Sequence, residues 1–167
     1  MPRRKKYTRC RKKRVKCKTE KKLLVWLLDF MADRGEAVTY QPKYEWCRNV
    51  GKTERHFPFD FSIEGYQLII ELDGRQHYFK ARRSWNPDAI QMRDIYKMGC
   101  AFEHGYTVVR LVQEHVWMDR HDWEERFISH LRRHHNARAV LLDSDTKAEF
   151  DPLREKMQHI GMSGTNV

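Results

Sequence analysis

Besides the turn residue Glu64, three carboxylates interrupt a largely apolar stretch, Phe57-Pro58-Phe59-Asp60-Phe61-Ser62-Ile63-Glu64-Gly65-Tyr66-Gln67-Leu68-Ile69-Ile70-Glu71-Leu72-Asp73-Gly74. Two apolar-rich runs flank the turn pair Glu64-Gly65, which is the pattern of a β-hairpin. A two- or four-residue loop centred on that pair sets Asp60 opposite Ile69. Side chains alternate faces along a strand, so Asp60, Ile69, Glu71 and Asp73 share one face. Glu71 is then diagonal to Asp60, at roughly 7–8 Å between backbones. Carboxylates crowded on an apolar face repel one another and are costly to desolvate. A divalent cation removes both penalties, and Mg²⁺ prefers one or two carboxylates completed by water and phosphate oxygens. Asp60 and Glu71 are the expected metal pair. Asp73 is either a third site residue or, before Gly74, a turn former.

Other residues of this type stand close by in sequence. His77 follows the carboxylates at a distance suited to proton transfer near neutral pH. Asp94 and Lys97 lie three residues apart on one helical face, where they are either site residues or an intrahelical pair. Glu20 sits at helical spacing ahead of Leu23, Leu24 and Leu27, near the positive end of its helix dipole. Arg75, Tyr78, Lys80, Arg82, Arg83 and Trp85 make a basic loop interleaved with aromatics, a composition suited to phosphate contact and base stacking.

These residues need elements to position them. Thr19 is the expected N-cap of a helix from Glu20 to Arg34 that ends at Gly35, with Leu23, Leu24, Leu27, Leu28 and Met31 on its apolar stripe. Ala37 to Trp46 reads as an edge strand because of Pro42. The hairpin strands cover Phe59–Ile63 and Tyr66–Asp73. A helix is expected over Pro87–His104, with Ile95, Met98 and Phe102 inward, followed by Gly105 and a strand over Tyr106–Val112. A clear amphipathic helix over Asp122–Arg133 turns Trp123, Phe127, Ile128 and Leu131 inward. A short strand over Ala139–Leu142 and a helix over Asp151–Ile160 complete the chain. The order α-β-β-β-α-β makes an α/β layer with a mixed sheet. The chain divides into a basic arm (1–18) that is disordered when free, a domain (19–135) and a C-terminal extension (136–167).

The net charge of +10 over 167 residues is unevenly distributed. Residues 1–22 hold thirteen Lys/Arg against one acid, and the remainder holds twenty Lys/Arg against twenty-two acids. The arm, with Arg3, Arg4, Lys5, Lys6, Arg11, Lys12, Lys13 and Arg14, therefore suits a polyanion such as nucleic acid, or serves as a nuclear address in a eukaryotic host. No apolar run approaches the ~20 residues of a membrane span, and there is no secretory signal, so a soluble intracellular protein without a membrane partner is expected. Four dispersed cysteines read as reduced thiols. Cys10 and Cys17 alone do not make a structural zinc site, which takes four ligands. His130, His134 and His135 read as part of a basic helix end rather than a metal site.

The element order and five motifs together resemble the PD-(D/E)XK nuclease superfamily, most closely its Vsr-like branch with the EDxHD endonuclease domains. The motifs are Thr19-Glu20, Phe57-Pro58-Phe59-Asp60-Phe61, Glu71-Leu72-Asp73-Gly74-Arg75-Gln76-His77-Tyr78, Arg93-Asp94-Ile95-Tyr96-Lys97 and Gly105-Tyr106-Thr107-Val108-Val109-Arg110. The resemblance implies a restriction-endonuclease-like core and a DNA endonuclease using Mg²⁺ or Mn²⁺. It implies metal binding by Asp60 and Glu71 beside the Leu72 backbone, with Glu20, His77 and Asp94 bordering the site. One position departs from the superfamily pattern: (D/E)-x-Lys places Lys at 73, where Asp stands. Either His77 positions the attacking water instead, or the fold binds nucleic acid without cutting it. An RNA-processing nuclease would share the same metal chemistry.

Overall fold

The computed structural model describes residues 17–51, 53–79, 86–144, 148–162 and 164–165. Helix α1 (Lys18–Ala32) precedes strands β1 (Val38–Tyr40), β2 (Phe61–Ile63) and β3 (Leu68–Asp73). Helix α2 (Pro87–Glu103) leads into β4 (Thr107–Val112), then α3 (Gln113–Met118), α4 (Trp123–Ile128), β5 (Ala139–Leu142), α5 (Asp151–His159) and β6 (Gly164–Thr165). The strands form one mixed sheet in the order β1-β2-β3-β4-β5-β6. The first three pair antiparallel, and β3 through β6 pair parallel. This α/β layer is compatible with a restriction-endonuclease-like core.

Strict alternation along the strands divides the core in two. Phe61, Ile63, Leu68, Ile70, Leu72, Val109 and Leu111 meet Leu23, Leu27 and Met31 of α1 and the aromatics of α4. Ile69, Val108, Val112 and Leu141 face the other way, against Ile95, Met98 and Ala101 of α2 and Leu153 and Met157 of α5. Helices on both faces bury β3, β4 and β5 completely, which explains their nearly unbroken apolar runs. The parallel β3–β4 pair needs a crossover, and α2 supplies it. Gly105 ends that helix at φ +79°, a left-handed conformation that favours glycine.

Several expectations are corrected. The hairpin turn is a 3₁₀ segment (Glu64–Tyr66) plus left-handed Gln67, so Phe61 pairs with Ile70 and Ile63 with Leu68. The register is displaced by two residues from the expected one, and Asp60 falls opposite Glu71 rather than diagonal to it. Because the slip is even, both still point to one face. Cys17, not Thr19, is the N-cap of α1. The edge strand ends at Tyr40, before Pro42, whose missing N–H cannot continue a ladder. The helix expected over 122–133 stops at Ile128, whose side chain is 41% exposed, while Leu131 packs inward from the following turn. Phe102 is only partly buried against its cluster. Helix α3 and strand β6 had no expectation. The segment 139–142 is β5 of the same sheet, paired with β4. Among the described residues no helix is long and apolar enough to cross a membrane.

Candidate functional site

Asp60 ends the approach to β2, and Glu71 lies across from it on β3. One Asp60 oxygen, Oδ2, accepts the Leu72 amide at 2.7 Å. Glu71 is 7% exposed, and Lys97 of α2, equally buried, places Nζ 2.5 Å from Glu71 Oε1. That contact is an ion pair without hydrogen-bond alignment, because Oε1 has no aligned donor. The Lys97 ammonium also lies 4.6 Å from the Phe59 ring centroid. Burial pushes the Asp60 carboxyl well above the usual carboxylate range. Glu71 adds to that rise, and the Leu72 amide and Lys97 only partly offset it. A carboxylate left in this condition awaits a proton or a cation.

The expected third carboxylate has a different fate. Asp73 is buried in β3 and takes both arms of Arg110 from β4, at 2.7 Å each. Arg110 reaches on to Asp94 Oδ2 at 2.9 Å, and its guanidinium is firmly held in the charged form by the two carboxylates. Asp73 is therefore no turn former; Gly74 has φ −78°. Asp94 does not pair along its own helix. It accepts His77 Nδ1 at 2.7 Å, and Gln91 donates to the His77 carbonyl at 2.8 Å, so backbone and ring are both fixed. Although burial opposes the charge on His77, Asp73 and Asp94 outweigh it and raise its pKa above the ordinary value. Burial would raise Asp94, but Arg110 and His77 hold it well below the usual range.

Asp73, His77 and Asp94 could by spacing hold a metal ion. Arg110 already occupies the oxygens that would face it, and a second cation there would meet the guanidinium at close range. Asp60, whose carboxyl is raised by burial and by the facing Glu71, fits a divalent cation better. Glu20 lies at the border, where its Oε2 accepts Tyr40 Oη at 2.6 Å.

The structure thus brings Asp60, Glu71, Asp73, His77 and Asp94 onto one face of β3. The surrounding surface is less uniform. Arg75 is exposed and pairs with Glu114 at 2.8 Å. Tyr78 turns inward, edge-on to Phe150, rather than presenting an open ring. Lys80, Arg82, Arg83 and Trp85 lie outside the described residues, as do Arg3, Arg4, Lys5, Lys6, Arg11, Lys12, Lys13 and Arg14. Beside the site a groove runs along the outer edge of α2, lined by Arg48, Phe57, Met92, Arg93 and Tyr96.

Sequence reasoning offered Lys97 as a site residue or a helical partner of Asp94 without joining it to Glu71, and it gave Arg110 no part in the site. A Lys one helical turn after Asp94, and an Arg whose strand neighbours Val109 and Leu111 are buried, were the available signals. No protein-family model, curated protein or solved structure matches the chain.

Proposed function

We propose that this chain is a metal-dependent endonuclease acting on DNA. The observation that carries the reading is the Asp60–Glu71 pair: two carboxylates opposed on a buried face, Asp60 with a raised pKa and Glu71 with a buried ammonium at 2.5 Å. Asp60 and Glu71 would hold Mg²⁺ or Mn²⁺. Such an ion supplies Lewis acidity toward a phosphoryl oxygen and makes water a stronger acid.

The remaining steps belong to the chain's own residues. Lys97 brings to the Glu71 carboxylate, from a helix, the ammonium that the (D/E)-x-Lys pattern would place on the strand at 73. There it can donate to water or to a non-bridging phosphate oxygen and stabilise charge building on phosphorus. His77, oriented through Nδ1 by Asp94, leaves Nε2 to exchange a proton with substrate. Asp73 and Asp94 raise its pKa above the ordinary value, a shift that favours donating a proton to a departing oxygen over deprotonating water. Arg110, itself anchored by Asp73, keeps Asp94 charged and in place. Glu20 borders the pair from α1. The basic arm supplies sequence-independent attraction to the phosphate backbone.

The Lys97–Glu71 contact also favours a second reading, in which the ammonium stands permanently in place of a metal and the fold binds nucleic acid without cutting it. Plasmid nicking with Mg²⁺ and with EDTA separates the two. The endonuclease reading requires metal-dependent nicking that Asp60→Ala abolishes while DNA binding survives. Unchanged cleavage by Asp60→Ala overturns the mechanism, and salt-sensitive binding without any cleavage favours the second reading. Running RNA, single-stranded DNA and duplex DNA side by side tests the substrate, including the RNA-processing alternative.

A further inference from the structure

The segment Ser129 to Arg138 follows α4 and leads into β5. It holds three Arg and three His with no acid. His130 is 4% exposed, and neither ring nitrogen has a hydrogen-bond partner. Arg138 Nε is buried in the same condition. Buried polar groups are normally satisfied, and an orphan cationic donor points to a missing water or ion. Arg110, Lys97 and Arg154 each meet a carboxylate. Among the described residues no carboxylate pairs with Arg132, Arg138, His130 or His134.

The charged and titratable groups acting on His130 are His134, Arg138, Arg132 and Arg126. His134 stacks on it at 5.9 Å between centroids, its Nε2 donating to the His130 carbonyl at 3.1 Å. Burial pushes the His130 ring down to about 4, and His134, Arg138, Arg132 and Arg126 add to the fall. Arg126 is engaged with the Asp143 carbonyl at 2.5 Å, which leaves Arg132 and Arg138 as the uncommitted charges. The cluster is tied to the starts of the parallel strands, since Val108 N donates to the Arg138 carbonyl and Arg133 to Gln67 Oε1. It lies at the opposite end of β3 from His77.

We propose that His130, Arg132 and Arg138 form a phosphate-binding site separate from the Asp60–Glu71 pair. A phosphate or phosphodiester group meets the guanidinium groups of exposed Arg132 and half-buried Arg138, and such pairs are strong and geometrically specific; Arg138 Nε and a His130 N–H, closed to solvent in the free chain, gain acceptor oxygens as Arg138 turns outward. The source is either the backbone of a bound nucleic acid or a small phosphorylated molecule. This site does not depend on the endonuclease reading.

The test follows the histidine ring ¹⁵N and ¹H resonances of the full chain, in EDTA, during titration with inorganic phosphate at fixed ionic strength. Saturable shifts of His130 are expected in the millimolar range of Kd, ordinary for a single small anion. Arg138→Met should weaken binding at least ~10-fold, the scale of one charge-assisted hydrogen bond. Arg132→Ala, at an exposed position, gives the same readout should Arg138→Met fold poorly. A second arm uses a short duplex oligonucleotide. The same His130 shifts, with a smaller salt dependence of DNA binding in Arg132→Ala, identify the backbone as the source. Shifts with phosphate alone identify a small molecule, and either source upholds the site. Non-saturable shifts matched by chloride, or phosphate affinity unchanged in both variants, overturn it in favour of ordered water.

Discussion

Two groups of buried carboxylates hang from this sheet, and burial acts on them with opposite net results. At the β5–α5 junction Asp143 receives Arg154 through two nitrogens, at 2.7 and 2.8 Å, and the Phe150 amide at 3.1 Å. Glu149 receives the Ser144 amide at 3.0 Å and lies 3.2 Å from His115 Nε2. Burial would raise both acids. For Asp143 the Arg154 contacts and the Phe150 amide together outweigh it, for Glu149 the Ser144 amide and hydroxyl, its own amide and His115 together do, and both end below their ordinary values. At β2–β3, Asp60 has one amide and a like-charged neighbour, and it ends well above. The first group is organised to be charged and holds the structure together. The second lacks such a set of partners, and it is the pair for which we propose a cation.

The largest expected effect falls on the cation between these extremes. Arg110→Met leaves Asp73 and Asp94 buried without their shared partner and should cost about 3–5 kcal/mol of stability. Urea unfolding measures it, and a loss under about 1 kcal/mol would show that the network is not what separates Asp73 from the metal pair.

Asp143→Asn comes next. The amide keeps an acceptor for Phe150 N but turns a neutral, partly donating group toward Arg154. A loss of about 2–3 kcal/mol is expected, between a charge-assisted hydrogen bond and a broken buried pair. Asp60→Asn should change stability in the other direction. Measured in EDTA, it retains the Leu72 contact through its carbonyl and relieves both desolvation and repulsion from Glu71, a gain of about 1 kcal/mol, the scale of a one-unit pKa shift. If both Asp→Asn variants lose stability equally, the distinction between the two groups collapses.

This contrast was only half legible in the sequence. Period-two alternation and the Glu64-Gly65 turn placed Asp60 and Glu71 on one face, and that inference survived a register displaced by two residues because parity alone decides the face. The turn type was not legible, since a 3₁₀ segment followed by left-handed Gln67 has no compositional mark comparable to Asn-Gly. Lys97 and Asp94 look like an ordinary helical pair at three-residue spacing. Their partners, Glu71, His77 and Arg110, are brought to them only when α2 crosses over the sheet. The β5–α5 group depends in the same way on contacts between strand and helix, and nothing local marks Asp143 as the acceptor of Arg154. Tyr78 shows the converse: a sequence context suited to stacking on a ligand became packing against Phe150.

The smallest and most diagnostic effect is the pH dependence of the Asp143→Asn cost. A carboxyl whose folded pKa is depressed contributes stability that is complete above its unfolded pKa, about 3.9 for Asp and 4.3 for Glu. That contribution is lost as pH falls through the folded value, because the unfolded chain then binds protons that the folded one still refuses. The difference in unfolding free energy between wild type and Asp143→Asn should therefore stay level from neutral pH to about pH 5 and shrink only below about pH 4. Glu149→Gln should behave the same way with a smaller amplitude, since its partners are one amide, one hydroxyl and a histidine whose pKa is itself lowered by burial. A cost that begins to fade near pH 6 would mean that Asp143 protonates more easily folded than unfolded. The β5–α5 group would then belong with Asp60, as a second place where this fold holds carboxylates against their preference.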